Sequence, residues 1–317
     1  MSAGKCTIPA TVALDHVGIV GSDIQALSAA VRRLGFAPTE PRALMSHDPA
    51  SGQSLPLDQR SFHLVFESGY VELSVLSSQS ATHHLAPYAG RYRGLHILAL
   101  GVSDIAAAAR RVRMAGISIT EPTVAAREVE YGSRAGTAKF RWFMLTPAGA
   151  PEALICFVQH LTPDIVFQAE VQRHPNTATA LTEATFVVAD PVRTSRLLSV
   201  IADTDAVEGP GGWRLDLGRT GVRIATAAQF AASFPGASVP SLPSMGAMRL
   251  EVSDVSTAVH HCQTAGVPVH RSQSRAWVDA RFGAGAVIEF VQTCASTSNT
   301  TSASLAPDQP VAPAREN

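Results

Sequence analysis

The 317-residue sequence is short of cysteine, of aromatics and of any excess of one charge. Its four cysteines (Cys6, Cys156, Cys262 and Cys294) are scattered and form no CxxC pair. That argues against a cysteine zinc knuckle or a disulfide framework and makes a reducing, cytoplasmic setting the expectation. Lys and Arg total 25 against 26 Asp and Glu, so nothing forms a basic footprint for nucleic acid or an anionic membrane surface. No apolar run reaches the roughly 18–20 residues that cross a bilayer. Met1 to Ala10 carries one lysine and no apolar stretch, so no secretory signal is expected. A P-loop, a GxGxxG following a strand and a GxSxG elbow are all missing. GAGA at Gly283–Ala286 reads as a turn before a strand. What the chain does have is apolar material, 46% of its residues, which excludes a disordered class and is enough for about two cores at this length.

Self-similarity dominates the rest. An apolar strand, an aspartate and a helix recur four times, in Leu14–Phe36, Gly94–Ile117, Leu181–Asp203 and Met245–Val267. Each opens with β-branched and aliphatic residues, as a strand should. Asp23, Asp104, Asp190 and Asp254 then precede Ala/Leu/Val-rich helical stretches, where a carboxylate caps free N–H groups and suits the helix dipole. Pro191 fits a first helical turn. Gly35, Gly116 and Gly266 are placed as C-caps. The aspartates are therefore expected to be caps, not catalysts.

Each helix is followed by further strand-like runs: SFHLVFES and YVELSVL, FRWFML and ALICFVQHL, GWRLDL and GVRIATA, RAWVDARF and AVIEFVQT. LICFVQ (Leu154–Gln159) and VIEFVQ (Val287–Gln292) nearly match and set the register of the closing strand. The implied organisation is an N-terminal segment 1–11, a first domain 12–165 with units 14–77 and 94–160, and a linker 166–179. A second domain follows at 180–295, with units 181–228 and 245–293. Residues 296–317, rich in Ser, Thr, Pro and Ala, read as a disordered tail.

Leu-Asp-His-Val-Gly-Ile-Val from Leu14, the GYVELSVL run, the GLxxxALxxxD form of the second copy and its closing FVQHLTPD together resemble the glyoxalase-like type of the vicinal oxygen chelate superfamily. The resemblance is strongest over 12–165 and weaker over 178–293. It implies an α+β fold in which four βαβββ units form two tandem domains with curved, cup-like mixed sheets, adjacent units pairing. It also implies a divalent metal (Zn, Ni, Mn or Fe), bound by His or Gln from first strands and Glu from last strands.

Carried onto this sequence, those positions are His16 and Glu72 in the first copy. Strand alternation puts His16, Gly18 and Val20 on one face, and Gly18 leaves room beside the ligand. Glu72, between Val71 and Leu73, needs a buried partner. In the second copy the spacing lands on Ile97; His96 reaches the site only through a bulge. The last-strand position is Cys156, either a ligand or plain core. The third copy offers Glu183 and Arg223, an ion pair rather than a chelate. The fourth offers Ala247 and Glu289. A structural salt-bridge network is an equal reading for Glu183, Arg223 and Glu289; an arginine in a cup could instead hold a carboxylate ligand. His63 could line the same cup as His16. His83-His84 reads as a loop pair and His260-His261 as a helix pair, neither with metal spacing. Arg127 and Tyr131, before FRWFML, could close over a ligand.

A His16/Glu72/His96 set would polarise a carbonyl, with Glu72 or Cys156 abstracting the adjacent proton, as in a lyase or isomerase. The alternative is a non-catalytic cup that sequesters a small molecule, consistent with the incomplete ligand set. A ring-cleaving dioxygenase is disfavoured, because its triad would need two histidines and a glutamate in the second half. The partner expected is a small molecule, with a homodimer open to the chain and the second half free to serve a structural role.

Overall fold

The computed structural model describes residues 12–47, 53–77 and 83–293. The segment 1–11 and the tail 296–317 lie outside the described residues. Four times the chain runs strand, helix, three strands. The first unit is β1 (Ala13–Gly21), α1 (Ile24–Arg33), β2 (Arg42–His47), β3 (Ser54–Val65) and β4 (Tyr70–Leu76). A short α2 (Ala86–Ala89) leads to β5 (Leu95–Gly101), α3 (Ile105–Met114), β6 (Thr123–Val129), β7 (Gly136–Met144) and β8 (Leu154–His160). After α4 (Pro163–Val166) come β9 (Ala178–Val187), α5 (Pro191–Ala202), β10 (Ala206–Gly209), β11 (Gly212–Leu217) and β12 (Thr220–Ala225). Finally, α6 (Ala227–Ser233) precedes β13 (Ser244–Val252), α7 (Val255–Thr264), β14 (Val269–Ser272), β15 (Arg275–Val278) and β16 (Val287–Gln292).

The four aspartates start the helices. Asp23 accepts the N–H groups of Gln25 and Ala26, Asp104 that of Ala107, Asp190 that of Arg193 and Asp254 that of Ser256. Such a cap is worth about 1 kcal/mol. Three helices end on glycine in the left-handed region, at φ +78° for Gly35, +77° for Gly116 and +69° for Gly266. The third-unit helix ends instead on Asp203 at φ +56°, a conformation Asp tolerates through its short polar side chain.

Within every unit the closing strand lies parallel to the opening one: β4 on β1, β8 on β5, β12 on β9 and β16 on β13. A parallel pair needs a crossover, which the capped helix provides. Units one and two meet along β1–β5 and again along β2–β6, so eight strands close into a barrel-like ring. Units three and four meet along β9–β13, while β10 and β14 do not pair with each other among the described residues. The two halves join where Met245 of β13 pairs with Leu95 of β5 and where the Leu14 N–H donates to Thr220 Oγ1.

Alternation sorts the strand residues. Val17, Ile19, Val71, Leu73, Leu98, Leu100, Ile155 and Phe157 join one continuous core beneath the helices, a core that also takes in Met248, Leu250, Ile288 and Phe290 of the last unit. On the opposite face Val20, Ile97, Ala99, Leu154, Cys156 and Val158 form a second cluster inside the ring. The stretch 166–179 is a packed connection rather than a loose tether. His174 accepts the Ala37 N–H and reaches the Val65 carbonyl, and Asn176 donates to the Leu34 carbonyl. Among the described residues no helix is long and apolar enough to cross a membrane.

Candidate functional site

The closed ring holds a cup that opens to solvent on one side. Its polar wall comes from the first unit, with His16 on β1, Gln59, Ser61 and His63 on β3, and Tyr70 and Glu72 on β4. The second unit supplies an apolar wall of Ile97, Phe140, Trp142, Leu154, Cys156 and Val158, interrupted by Arg127 on β6. His84 and Leu44 complete the lining.

His16 and Glu72 stand on parallel neighbouring strands, with His16 opposite Tyr70 and Gly18 opposite Glu72. Their side chains converge: His16 Nε2 lies 3.9 Å from Glu72 Oε2, beyond hydrogen-bonding distance. Each is held from behind. Gln59 Nε2 donates to Glu72 Oε1 at 2.5 Å and Ser74 Oγ donates to the same oxygen at 2.6 Å. His16 stacks on the Tyr70 ring with centroids 4.3 Å apart, and its Nδ1 meets Asp15 Oδ1 at 2.7 Å. An ionised Asp15 requires the proton on Nδ1 and leaves Nε2 facing the cup.

Asp15 can touch its sequence neighbour because β1 bulges there: Leu14 pairs with Leu100 and His16 with Ala99, so Asp15 is the extra residue. Asp15 also contacts His160 Nε2 at 3.2 Å. Burial alone would raise the Asp15 carboxyl, but hydrogen bonds and charge from His16 and His160 outweigh it and hold the group far below the usual carboxylate range. Burial, assisted by Arg127 and His16, keeps His63 well below its ordinary value and so neutral. Burial, with the charges of Glu72 and Asp15, pushes the Cys156 thiol up, the opposite of an activated thiolate. His84 is lowered to about 3 by burial and by His83.

His96 does not reach this cup. The β1–β5 ladder does bulge at that residue, since Gly18 pairs with Ile97 and Ile19 with Leu95. The bulge, however, leaves the side chain outside the ring. His96 Nδ1 accepts the Val20 N–H at 3.1 Å, Nε2 lies 3.0 Å from the Tyr92 carbonyl, and the ring stacks on Tyr92. Both nitrogens are spent on backbone. Ile97 takes the inward position, and it also fills the room beside Gly18: a Cβ on that glycine would stand 2.5 Å from Ile97 Cδ1. The space expected there for a ligand is occupied by isoleucine. Tyr131 is likewise turned away, its hydroxyl donating to the Val166 carbonyl at 3.3 Å.

The second half holds Glu183, Arg223 and Glu289 in an ion-pair network. Glu183 is gripped by Arg223 Nε at 2.9 Å, Arg214 Nε at 3.1 Å and Arg249 Nη2 at 3.4 Å. Glu289 is gripped by Arg249 Nε and Arg275 Nη1, both at 2.7 Å. Burial opposes ionisation of Glu183, but the charges of Arg249 and Arg223 outweigh it and keep its carboxyl low. All four carboxylate oxygens are engaged.

A profile of the glyoxalase-like domain matches residues 14–201. The chain belongs to this family. Solved structures of low identity share the fold of the glyoxalase-like domain protein over nearly its whole length. One is a hypothetical protein from Staphylococcus aureus, 11% identical, with a TM-score of 0.59 over 89% of this chain and 100% of that one. A second is a triple mutant of 4-hydroxymandelate synthase from Streptomyces coelicolor, 13% identical, TM-score 0.57, covering 89% and 93% of the two chains. A third is the Mn(II)-bound glyoxalase from Novosphingobium aromaticivorans, 14% identical, TM-score 0.54, covering 89% and 83%. At such identities the likeness is one of fold alone. No functionally curated protein matches the sequence.

One of these neighbours is Mn(II)-bound, and the donor set of the glyoxalase-like domain can be tested against such an ion. Among the described residues no three His, Cys, Asp or Glu side chains stand together in a way that could hold a metal ion. His16 and Glu72 converge, the third position is aliphatic Ile97, and Cys156 is a buried thiol pushed away from ionisation. Catalytic zinc ordinarily takes three protein ligands. These residues do not fit a chelated metal.

Sequence reasoning overlooked Gln59, Ser74 and Trp142, and read His84 as a plain loop residue. Gln59 carried one usable signal: an amide in a strand whose neighbours alternate inward with His63. Trp142 alternates with apolar residues in FRWFML and was indistinguishable there from core.

Proposed function

We propose that the N-terminal cup of this glyoxalase-like domain protein binds a small oxygen-bearing organic molecule directly, through its own side chains rather than through a chelated metal. The observation that carries this reading is the position of Ile97: an aliphatic side chain stands where a third ligand would be, while the adjacent histidine is locked to backbone outside the ring. The cup has the makeup of a small-molecule site, with an apolar wall facing a few fixed polar groups. Gln59, Ser74 and Asp15 hold Glu72 and His16 in place, which lowers the ordering cost of binding.

The convergence of His16 and Glu72 supports a second reading, metal-assisted lyase or isomerase activity. Metal analysis separates the two. Protein purified without chelators is expected to carry no stoichiometric Zn, Ni, Mn or Fe, and calorimetric titration with Zn(II) or Mn(II) is expected to show no cup-dependent binding. Near-stoichiometric metal that disappears in both His16→Ala and Glu72→Ala would restore the enzyme reading.

A further inference from the structure

One arginine of the cup makes no ion pair, although a carboxylate, Glu72, lines the same cavity. Arg127 is 5% exposed and lines the cavity, yet among the described residues its guanidinium makes no ion pair and donates no hydrogen bond. Lys, Arg, Asp and Glu are almost never fully buried unless paired. Elsewhere in the chain the rule holds: the interior ends of Arg249 and Arg275 sit on Glu289, and Arg223 sits on Glu183. Arg127 cannot be relieved by losing its proton. His63 beside it is kept neutral, so it neither competes for an anion nor neutralises one.

Two further orphans face the same problem. Trp142 Nε1 is a buried donor without an acceptor, and Gln59 Oε1 is a buried acceptor without a donor. Both residues line the cup. Buried polar groups are ordinarily satisfied. These two atoms are closed off behind the cup wall, whereas Arg127 is not among such closed-off atoms and lines the open cavity.

We infer that Arg127 is the anchor for a carboxylate, and that the cup takes a small monoanionic molecule with an apolar, preferably aromatic, body. This rests on reading the cup as a direct binding site and names its ligand class. A guanidinium presents parallel N–H groups matched to a carboxylate. The flat walls of Phe140 and Trp142 suit a ring. A dianion such as a phosphate monoester is disfavoured, because Glu72 shares the cavity and only one guanidinium is there to offset charge. Arg127 comes from the second unit and Glu72 from the first, so the site exists only where the two units close on each other.

The test uses the full chain with benzoate, phenylacetate and 3-phenylpropionate, each beside its uncharged amide, by titration calorimetry and thermal melting. At least one carboxylate is expected to bind about 30-fold or more tighter than its amide, the lower end for a buried charge given its partner. Arg127→Met should abolish that preference while leaving amide binding nearly unchanged, and Arg127→Lys should restore part of it. Without ligand, Arg127→Met should melt at the same temperature or higher, because it removes an unpaired buried charge; a merely structural arginine would make it melt lower. Equal binding of carboxylates and amides overturns the carboxylate assignment and leaves the cup as a neutral-ligand site. Binding by none of the six compounds, with a lower melting temperature for Arg127→Met, overturns both this inference and the direct-binding reading.

Discussion

Gly18 and Ile97 oppose each other across the β1–β5 ladder so closely that the isoleucine side chain occupies the place a Cβ on the glycine would take, with Cδ1 at 2.5 Å and its own Cβ at 2.9 Å. Of the two, Ile97 lines the cup. Gly18→Ala is therefore expected to lower stability by about 1–3 kcal/mol, the usual cost of overpacking. Ile97→Ala alone should also cost about 2–4 kcal/mol through the cavity it opens. The double variant should be more stable than the sum of the two losses implies, because each change relieves the other. Denaturant unfolding of the four proteins gives the coupling energy, and simple additivity would disprove the contact.

The same isoleucine sets the metal question. Ile97→His should place an imidazole in the cup beside His16 Nε2 and Glu72 Oε2, which stand 3.9 Å apart. Three such donors suit Zn(II), Mn(II) or Fe(II). The variant is expected to gain one equivalent of metal in a titration where the parent chain shows none, and to regain in the presence of that metal the stability lost by burying a polar ring. If Ile97→His binds no metal while remaining folded, the inward position assigned to residue 97 is incorrect.

How much of this was readable beforehand follows from which physical signals are local. Capping aspartates, C-cap glycines and strand alternation are local, and they repeat four times, so the unit and its order were legible. The convergence of His16 with Glu72 was also legible, because both lie in regular strands with a familiar spacing. His96 was not, since its direction depends on a bulge whose outcome is decided by the Val20 N–H and the Tyr92 carbonyl, partners distant in sequence or hidden in a turn. The Asp15 contact with His16 rests on the other bulge of the same ladder. Arg127 showed only as a polar residue in a polar stretch; its burial is created by the β2–β6 closure between units.

Acid should weaken the fold through the buried histidines. His84 has a folded value of about 3, against roughly 6.5 when unfolded, because burial and His83 both disfavour its charged form. A His held low binds its proton more readily in the unfolded chain. Its contribution to stability is thus fully present above pH 6.5 and is lost progressively as pH falls from 6.5 toward 3, by up to about 1.4 kcal/mol per pH unit. Melting temperatures of the parent and His84→Asn, measured from pH 7.5 to pH 4.5, should diverge most at the high end and converge at the low end. Parallel curves would refute the shift.

The arginine network of the second half makes a separate demand. Glu289 is 1% exposed and lies between Arg249 and Arg275, while Glu183 lies among Arg214, Arg223 and Arg249. Removing one carboxylate leaves guanidiniums facing one another with too few counter-charges, and breaking a buried pair in this way costs about 3–5 kcal/mol. The arginines are partly exposed, so solvent screening should bring the loss for Glu289→Gln toward the lower end, about 3 kcal/mol. The loss should shrink when Arg249→Met is added, because the shared cation goes with it. The network stands outside the residues that line the N-terminal cup, so ligand affinity there should stay within about two-fold in the folded variant. A Glu289→Gln protein as stable as its parent would mean the carboxylate is not the counter-charge that holds these arginines together.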